Sequence, residues 1–303
     1  MQQPPKVTLG PDVSIGMSAF GNYHTTREAL SALFSSAEGN FELILVDDCS
    51  PDDTRSLFIG AKAVHHNTRI FAFETNQEYS GSLNAILSHA TGRFIIFLSN
   101  DIFVTPSYLR ELLAIAETDT RHGIVRGCSN FVDNDFETHT IPLPENVTNW
   151  GQLAGFSERI ENEYRGRYLY DPFLTGDAFL VRRETIDKIG TFDPFFYGYF
   201  ADHDYGIRAR IAGFELVLAR GAYALHKRAA NFEYLPPEMR KQKRSARWAK
   251  VHENWARFKI KYGLPVELPF QYVHDIEWDR LCSAAFDKKL HYVSPGDYSA
   301  YVL

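Results

Sequence analysis

The feature that most constrains the fold is an alternation of short apolar runs with amphipathic runs through the first hundred residues. Four apolar runs, VSIGMSAF, FELILVDD, RIFAFET and RFIIFLSND, are separated by segments whose apolar residues recur at helical spacing. Strands that alternate with helices in this way form parallel sheets covered by helices. The sequence therefore predicts an α/β protein with a single, mostly parallel, Rossmann-like sheet flanked by helices. A long helical pattern from about 237 to 262 adds a helical C-terminal extension.

Several helix ends are marked by capping residues. Thr25, followed by Glu28, has the spacing of a capping box, and Thr105 with Pro106 fits an N-cap and a first turn. Further helices are predicted at about 80–90, at 150–164, and at 183–189, where Gly190 ends the pattern. These helices divide the predicted strands from one another.

The composition bounds the size and environment of the protein. With 303 residues, 45% of them hydrophobic, the chain can form one α/β domain with an appended segment, or two small domains. A formal net charge of -6 argues against a general nucleic-acid binder, because no overall positive field attracts phosphates. Three widely spaced cysteines fit a reducing compartment, and no apolar run approaches the ~20 residues that span a bilayer. We expect a cytoplasmic protein whose membrane contact, at the inner face, is peripheral.

Acidic residues follow two of the predicted strands. Asp47 and Asp48 end FELILVDD, and Asn100 and Asp101 end RFIIFLSND. Because ligands bind beyond the carboxyl ends of parallel strands, these side chains are expected at one crevice. The carboxylates at 47 and 48 could accept hydrogen bonds from a nucleoside, although turn and capping roles explain them equally well. Asp101 could hold Mg²⁺ or Mn²⁺ together with a substrate diphosphate. His226 is a candidate second ligand, although a lone His after a strand is more often a structural hydrogen-bonding group.

A glycine-containing segment, TNQEYSGSLNAIL, offers polar groups near the same edge. We expect Gly81 to turn the backbone beneath a ligand, and Asn76 and Asn84 to reach the ligand from the start of a helix. The chain contains neither a GK[ST] phosphate loop nor GxGxxG, so phosphate cradling of the ATP type and nicotinamide binding lack support from the sequence.

The segment from 192 to 216 places Asp202 and Asp204 two apart at a predicted helix start. The helix dipole favours negative charge there, so either carboxylate would stay ionised and could accept a proton. Alternatively, Asp204 pairs with Arg208 one turn later and Asp202 only caps the helix.

The predicted C-terminal helix carries a basic run between 240 and 255 without an acidic residue from 240 to 252. Two tryptophans, Trp248 and Trp255, lie in the same stretch. Basic residues with interfacial aromatics suit a helix that lies on an anionic membrane, whereas a solvated helix packed on the main domain is the alternative. The basic residues are Arg240, Lys241, Lys243, Arg244, Arg247 and Lys250.

Five segments in order resemble the bacterial family-2 glycosyltransferases of GT-A fold. They are VDDCSPDDT, TNQEYSGSLNAI with ATGRFIIFLSND, TGDAFLVRRETIDKIGTFDPFF, ADHDYGIRARIAGFEL and LHK, and they cover roughly residues 13–227. FKIKYG at 258–263 looks like the ending found in rhamnosyltransferase-like members. The resemblance implies a GT-A nucleotide-sugar-binding and catalytic domain over 1–230, followed by the helical extension over 231–303.

The resemblance also implies the chemistry. An inverting, metal-dependent enzyme would move a sugar from a nucleotide-diphosphate sugar to a hydroxyl of a saccharide or lipid-linked acceptor, in surface polysaccharide or glycolipid synthesis. The family's nucleotide-binding Asp falls on Asp47 or Asp48, its metal ligand on Asp101, and its catalytic base on Asp202. Its element beside the donor sugar and acceptor falls on Gly176 and Asp177.

Two positions depart from the family pattern. Ala201 occupies the position of the Glu that usually comes immediately before the catalytic base. Ser99 replaces the first acid of a full DxD motif. The alanine leaves it open whether Asp204 is the base or shares that role with Asp202. It also keeps open a catalytically silent partner subunit that only binds a sugar nucleotide. A nucleotidyltransferase is a further alternative, disfavoured because no glycine-rich, basic phosphate loop follows the first strand.

Overall fold

The computed structural model of the protein describes residues 5–132, 136–227, 237–283 and 292–303. The expected boundary between residues 230 and 231 falls in 228–236, outside the described residues. The described part of the chain contains eleven strands and nine α-helices. The strands are β1 (Val7–Leu9), β2 (Val13–Ala19), β3 (Ala37–Gly39), β4 (Glu42–Asp47), β5 (Thr68–Ala72), β6 (Phe94–Ser99), β7 (Ile102–Phe103), β8 (His122–Ser129), β9 (Tyr168–Tyr170), β10 (Ala178–Arg182) and β11 (Glu215–His226). The helices are α1 (Tyr23–Ser36), α2 (Thr54–Val64), α3 (Glu78–His89), α4 (Pro106–Thr118), α5 (Trp150–Tyr164), α6 (Arg183–Ile189), α7 (Ala201–Ile211), α8 (Pro237–Lys261) and α9 (Trp278–Leu281).

A nine-stranded sheet organises the molecule, in the order β5-β4-β2-β6-β10-β8-β11-β7, with β9 added to β11. The strands β2, β4, β5, β6, β8 and β11 share one direction, while β7, β9 and β10 run against it. The prediction of a mostly parallel sheet is therefore confirmed. The reversed strand β10 matters most, because it begins at the edge where β6 ends.

The two faces of the sheet bury separate cores. Successive side chains of β6 point to opposite faces, so Ile95 and Phe97 join one apolar cluster and Ile96 and Leu98 join the other. Helices α3, α6 and α7 cover the first cluster, and α1, α2 and α4 cover the second. The resulting three layers leave the carboxyl edge of the parallel strands open to carry a site.

Most of the predicted helix limits are confirmed, and one is wrong. The helices at 150–164 and 183–189 have the expected limits, and the hydroxyl of Thr105 accepts from the backbone N–H of Tyr108 as an N-cap. The capping box at Thr25 does not form, because α1 begins earlier, at Tyr23. Its first N–H is bonded instead to the carboxylate of Asp52, at 2.9 Å, in the loop after β4.

The C-terminal residues pack on the sheet rather than standing apart from it. Trp255 and Phe258 of α8 belong to the same apolar cluster as β6 and α7. Near the chain end, the N–H of Leu303 donates to the carbonyl of Ile70 in β5, at 2.9 Å. Within the described residues, no helix is both long enough and apolar enough to cross a membrane.

Candidate active site

Three strands bring polar side chains to one edge of the sheet. Asp101 lies just beyond β6, and Asp177 lies just before the reversed strand β10. The backbone N–H of Ser99 donates to the carbonyl of Asp177 at 2.9 Å, which fixes these strand ends side by side. His226 ends β11, where it pairs with Ile102 in β7. Residues far apart in the sequence thus meet in one crevice.

The imidazole of His226 lies between the two carboxylates. Its Nε2 is 3.3 Å from Asp101 Oδ2, and its Nδ1 is 3.8 Å from Asp177 Oδ2. Burial lowers the pKa of His226, but the hydrogen bond and charge of Asp101, together with the charge of Asp177, outweigh burial and raise that pKa to about 9. The carboxylates therefore favour a positive charge at this point of the crevice.

Asp101 and His226 also fit the ligand set of a divalent metal ion. Carboxylate oxygen and imidazole nitrogen are ligands that Mn²⁺ accepts, and Mg²⁺ prefers oxygen with substrate phosphates. Neighbouring ligands of an octahedral ion lie roughly 3 Å apart for metal–oxygen bonds of about 2.1 Å. The 3.3 Å between Nε2 and Oδ2 is compatible with one shared ion. The predicted pair is brought together, whereas Asn100 points aside and donates to the hydroxyl of Thr26 at 2.8 Å.

Asp202 lies in the first turn of α7, next to the Gly176–Asp177 dipeptide. Its Oδ2 accepts from the N–H of Gly176 at 2.9 Å, and 18% of its side chain is accessible. The hydroxyl of Tyr79 donates to the carbonyl of the same glycine at 2.8 Å. A Cβ at position 176 would lie 1.9 Å from that hydroxyl and 3.0 Å from the Cβ of Asp202, so the close approach requires glycine. Asp202 is thereby held as an accessible carboxylate at a helix N-terminus.

Asp204 is not at the crevice. Its carboxylate is fully buried, 2.9 Å from Arg208 Nε and 2.5 Å from Lys261 Nζ, and it accepts from the hydroxyl of Tyr262 at 2.7 Å. Burial raises its pKa, but the two cations and the Tyr262 hydrogen bond outweigh burial, so the pKa is lowered. The pairing with Arg208 that the sequence offered as an alternative is present, and the carboxylate ties α7 to α8. Ala201 is buried and offers no second carboxylate at this helix start.

The acids after β4 are buried. Asp47 Oδ1 accepts from the N–H of Ser50 at 3.0 Å, and its Oδ2 lies 2.7 Å from Arg55 Nε. Asp48 accepts from the N–H of Gln77 at 2.6 Å. Burial raises the pKa of Asp48 to about 6, aided by the charges of Glu78 and Asp47 and opposed by the bond from Gln77. Both carboxylates hold the loops that border the crevice.

The segment around α3 differs from its prediction. Gly81 lies inside helix α3, which begins at Glu78, rather than in a turn beneath a ligand. Asn84 is buried, and its amide both accepts from the N–H and donates to the carbonyl of Phe192, at 2.8 and 2.9 Å. Asn76 is exposed at the crevice side of α3, where its oxygen accepts from the N–H of Glu78 at 2.8 Å. Of the three predicted residues, Asn76 alone offers an exposed side chain.

A second group of acids and histidine lies at the opposite edge. Asp119, His122 and Glu215 are close enough to share an ion, but His122 and Glu215 begin β8 and β11, whereas His226 ends β11. Arg121 lies 2.7 Å from Asp119 Oδ2 and 2.9 Å from Glu215 Oε1, so a guanidinium already bridges the two carboxylates. This group is an ion-pair cluster away from the crevice.

Helix α8 presents only part of the predicted basic and aromatic surface. Trp255 is buried against Phe200, whereas Trp248 is 48% exposed. Lys250 pairs with Glu78 at the start of α3, and the Arg247 guanidinium lies 5.6 Å from the ring centre of Tyr199. The side chain of Lys243 lies outside the described residues. Lys250 and Arg247 therefore place this part of α8 against the start of α3 and the segment that precedes α7.

The sequence is similar to known glycosyltransferases. The family model described as glycosyl transferase family 2 matches residues 14–190, and the chain belongs to this family. EpsE of Bacillus subtilis (strain 168), named as a glycosyltransferase, is 36% identical over 149 residues, which cover 48% of this chain and 52% of that protein. WfgD of Escherichia coli, named as a UDP-Glc:alpha-D-GlcNAc-diphosphoundecaprenol beta-1,3-glucosyltransferase, is 33% identical over 137 residues, covering 45% and 53%. The chain thus spans about half the length of the curated relatives it matches.

A solved structure shares the fold. The mannosyltransferase PcManGT of Pyrobaculum calidifontis, in complex with GDP-Man and Mn²⁺, superposes with a TM-score of 0.53 at 16% identity, covering 75% of this chain and 61% of that one. The predicted GT-A fold is confirmed.

Proposed function

We propose that this protein is an inverting, metal-dependent glycosyltransferase that uses a nucleotide-diphosphate sugar and a saccharide or lipid-linked acceptor, in surface polysaccharide or glycolipid synthesis. The observation that carries the proposal is the accessible carboxylate of Asp202, fixed beside Gly176 and Asp177. The nucleotide and Mn²⁺ in the mannosyltransferase complex, and the lipid diphosphate in the name of WfgD, support the donor, metal and acceptor classes.

In this proposal Asp202 acts as the general base. It accepts the proton of an acceptor hydroxyl while that oxygen forms a bond to the anomeric carbon, and the bond to the nucleoside diphosphate breaks on the opposite face. Asp101 and His226 would hold a divalent ion, which when bound would supply positive charge to the diphosphate leaving group. A positioned base of this kind contributes typically ~10²–10⁴-fold to the rate. Asp204 has no part in this step, because its carboxylate is buried in ion pairs.

We assign the nucleotide to the edge formed by the loop after β4 and the start of α3. Asn76 is exposed there, while Asp47 and Asp48 shape the loops from within. Asn100 fixes the start of α1 against the end of β6. Asp177, with one oxygen directed toward His226, is assigned to the donor sugar or the acceptor.

A screen of nucleotide sugars tests the proposal. Binding of UDP-, GDP- and dTDP-linked sugars is measured calorimetrically with and without Mn²⁺, and each donor that binds is then incubated with a GlcNAc-diphosphate-lipid acceptor. The expected result is metal-dependent binding of one donor, release of the nucleoside diphosphate, and a product of inverted anomeric configuration by NMR.

Each alternative has its own outcome in this screen. Tight binding of a donor without release of nucleoside diphosphate, over a range of acceptors, would favour the silent partner subunit that Ala201 suggests. Pyrophosphate formed from a nucleoside triphosphate and a sugar phosphate would favour a nucleotidyltransferase. Product with retained configuration would contradict the inverting mechanism and the base role of Asp202.

A further inference from the structure

A row of buried polar groups continues from Asp177 away from the crevice. Arg126, in the middle of β8, is 2% exposed, and its Nη2 lies 3.1 Å from Asp177 Oδ1. Its Nη1 lies 2.8 Å from His139 Nδ1, and its Nε donates to the carbonyl of Gly127 at 3.1 Å. A buried charge is costly unless it is paired and hydrogen-bonded, and this guanidinium is both.

His139 also contacts a second buried acid, Asp171. Its Nε2 lies 2.8 Å from Asp171 Oδ2, and neither side chain is appreciably exposed. Burial lowers the pKa of His139 and the charge of Arg126 lowers it further, against the opposing effect of Asp171. The imidazole is therefore neutral at neutral pH. A single tautomer, with Nδ1 as acceptor and the hydrogen on Nε2, suits both neighbours.

This row restricts the orientation of Asp177. Its Oδ1 faces both Arg126 Nη2 and the N–H of Ala178, at 3.1 and 3.0 Å. With that oxygen doubly engaged, Oδ2 is left on the side of His226. Arginine suits the central position, because two separate nitrogens contact Asp177 and His139 at once, whereas one lysine ammonium is a single point.

We infer that Arg126 and His139 are positioning residues for the transfer reaction. Arg126 orients the carboxylate of Asp177 toward the bound sugar or acceptor, and His139, held by Asp171, orients Arg126. The inference rests on the proposed function, in which Asp177 contacts a substrate. If these groups were purely structural, they would stabilise the segment around His139, and their substitution would have no specific effect on turnover.

A double-mutant cycle separates the two roles. Arg126→Lys, Asp177→Asn and the double variant are compared for kcat, KM of each substrate, nucleotide affinity and Tm. We expect Arg126→Lys to lower kcat by ~10–100-fold, since a small misplacement of a substrate-positioning group has effects up to this size. Nucleotide affinity should stay unchanged. In the Asp177→Asn background the same substitution should change kcat by less than about two-fold, because the effect passes through Asp177.

Substitutions of His139 provide a second, independent measurement. The amide of His139→Gln can accept from Arg126 and donate to Asp171, so this variant should keep most of the wild-type kcat. His139→Leu can do neither and should resemble Arg126→Lys. Glu161→Gln is the matched control, because Glu161 is also a buried carboxylate, paired with Arg110 at 2.6 Å between α4 and α5. It should lower Tm and leave kcat unchanged.

Several results would overturn the inference. Additive effects of Arg126→Lys and Asp177→Asn would show that Arg126 does not act through Asp177. If Arg126→Lys unfolds at the assay temperature, equal kcat values for the Gln and Leu variants of His139 would be decisive against the inference. An active wild type with unaffected variants contradicts this inference alone. A wild type that releases no nucleoside diphosphate from any donor overturns the proposed function as well.

Discussion

Asp204 Oδ2 lies 2.9 Å from Arg208 Nε, one turn further along α7, and both side chains are buried. Two residues earlier on the same helix, the carboxylate of Asp202 is accessible and contacts the backbone of Gly176. A two-residue step turns the helix by roughly 200°, from 3.6 residues per turn, so the two acids face opposite sides. Asp202 therefore lies at the candidate active site, whereas Asp204 stabilises the packing of α7.

Asp204→Asn should destabilise the protein. The substitution leaves Arg208 and Lys261 without their shared anion, and breaking a buried ion pair typically costs about 3 kcal/mol or more. The free energy of unfolding is measured by urea denaturation at neutral pH. Because the pKa of Asp204 is lowered in the folded state, its stabilisation is present above the unfolded pKa of 3.8 and is lost as the pH falls below it. An unfolding free energy equal to that of wild type at pH 7 would contradict the assignment.

Asp202→Asn should leave the fold and donor binding intact and lower transfer by at least ~100-fold, as for a lost general base. Initial rates at saturating donor and acceptor are compared with wild type. Asp187→Asn, an exposed acid on α6, is the control and should match the wild-type rate. If Asp204→Asn loses more activity than Asp202→Asn at equal thermal stability, the base assignment is wrong.

The sequence was sufficient for the fold and for the strand-end acids. The alternation of apolar and amphipathic runs predicted the sheet, and the positions at strand ends predicted Asp101 and His226 as site residues. His226 Nε2 lies 3.3 Å from Asp101 Oδ2. Periodicity could not separate Asp202 from Asp204, because both fall in the first turn of one helix. Only the tertiary contact of Lys261 from α8 shows that the second acid is buried.

The remaining differences also arise from long-range contacts. The sequence predicts that Asn84 reaches a ligand, but both ends of its amide are hydrogen-bonded to the backbone of Phe192, more than one hundred residues away. Arg126 and His139 were not identified, although a single arginine inside the apolar strand HGIVRGCS was a usable signal. A charge in such a strand must find a buried partner, but the sequence does not say which one.

Asp48→Asn should stabilise the protein at pH 8. Burial raises the pKa of this carboxyl from 3.8 to about 6, so the folded state holds the proton more tightly than the unfolded state. Ionised Asp48 therefore costs stability above pH 6, by up to about 3 kcal/mol for a shift of this size. The neutral amide avoids this cost and can still accept from Gln77. The gain, measured by thermal unfolding from pH 4 to 8, should vanish near pH 4. A gain independent of pH would contradict the raised pKa.

Removal of divalent metal should abolish transfer. Asp101 with a substrate diphosphate is the expected binding set, so a chelator should stop activity and excess Mn²⁺ or Mg²⁺ should restore it. Asp101→Asn and His226→Gln should each weaken Mn²⁺ binding in the presence of the nucleoside diphosphate, measured by calorimetry. Asp119→Asn, at the opposite edge of the sheet, should not. Full activity in chelator would remove the metal from the proposed mechanism.

The exposed basic surface of α8 should bind anionic membranes. Trp248 is half exposed, and Lys241 and Arg244 lie beside it on one surface groove. Each basic residue near an anionic bilayer contributes ~1 kcal/mol, so cosedimentation with vesicles should rise with anionic lipid content and fall with salt. Lys241→Gln, Arg244→Gln and Trp248→Ala combined should abolish binding. Docking would also hold the crevice near a lipid-linked acceptor, because Arg247 packs on Tyr199 close to Asp202.

Basic residues outside the α8 surface, and the buried Trp255, provide control variants for the membrane prediction. Lys62→Gln with Lys188→Gln removes two basic residues from α2 and α6, outside the α8 surface, and should leave vesicle binding unchanged. Trp255→Phe should also bind normally, since Trp255 is buried. If the triple variant still binds the vesicles and salt releases it as it releases the wild type, the binding is a general charge attraction and not the effect of a docking surface. Equal loss of binding in the control variant would lead to the same conclusion. The absence of binding at every lipid composition would leave α8 as a solvated helix whose tryptophan at 255 serves only the core.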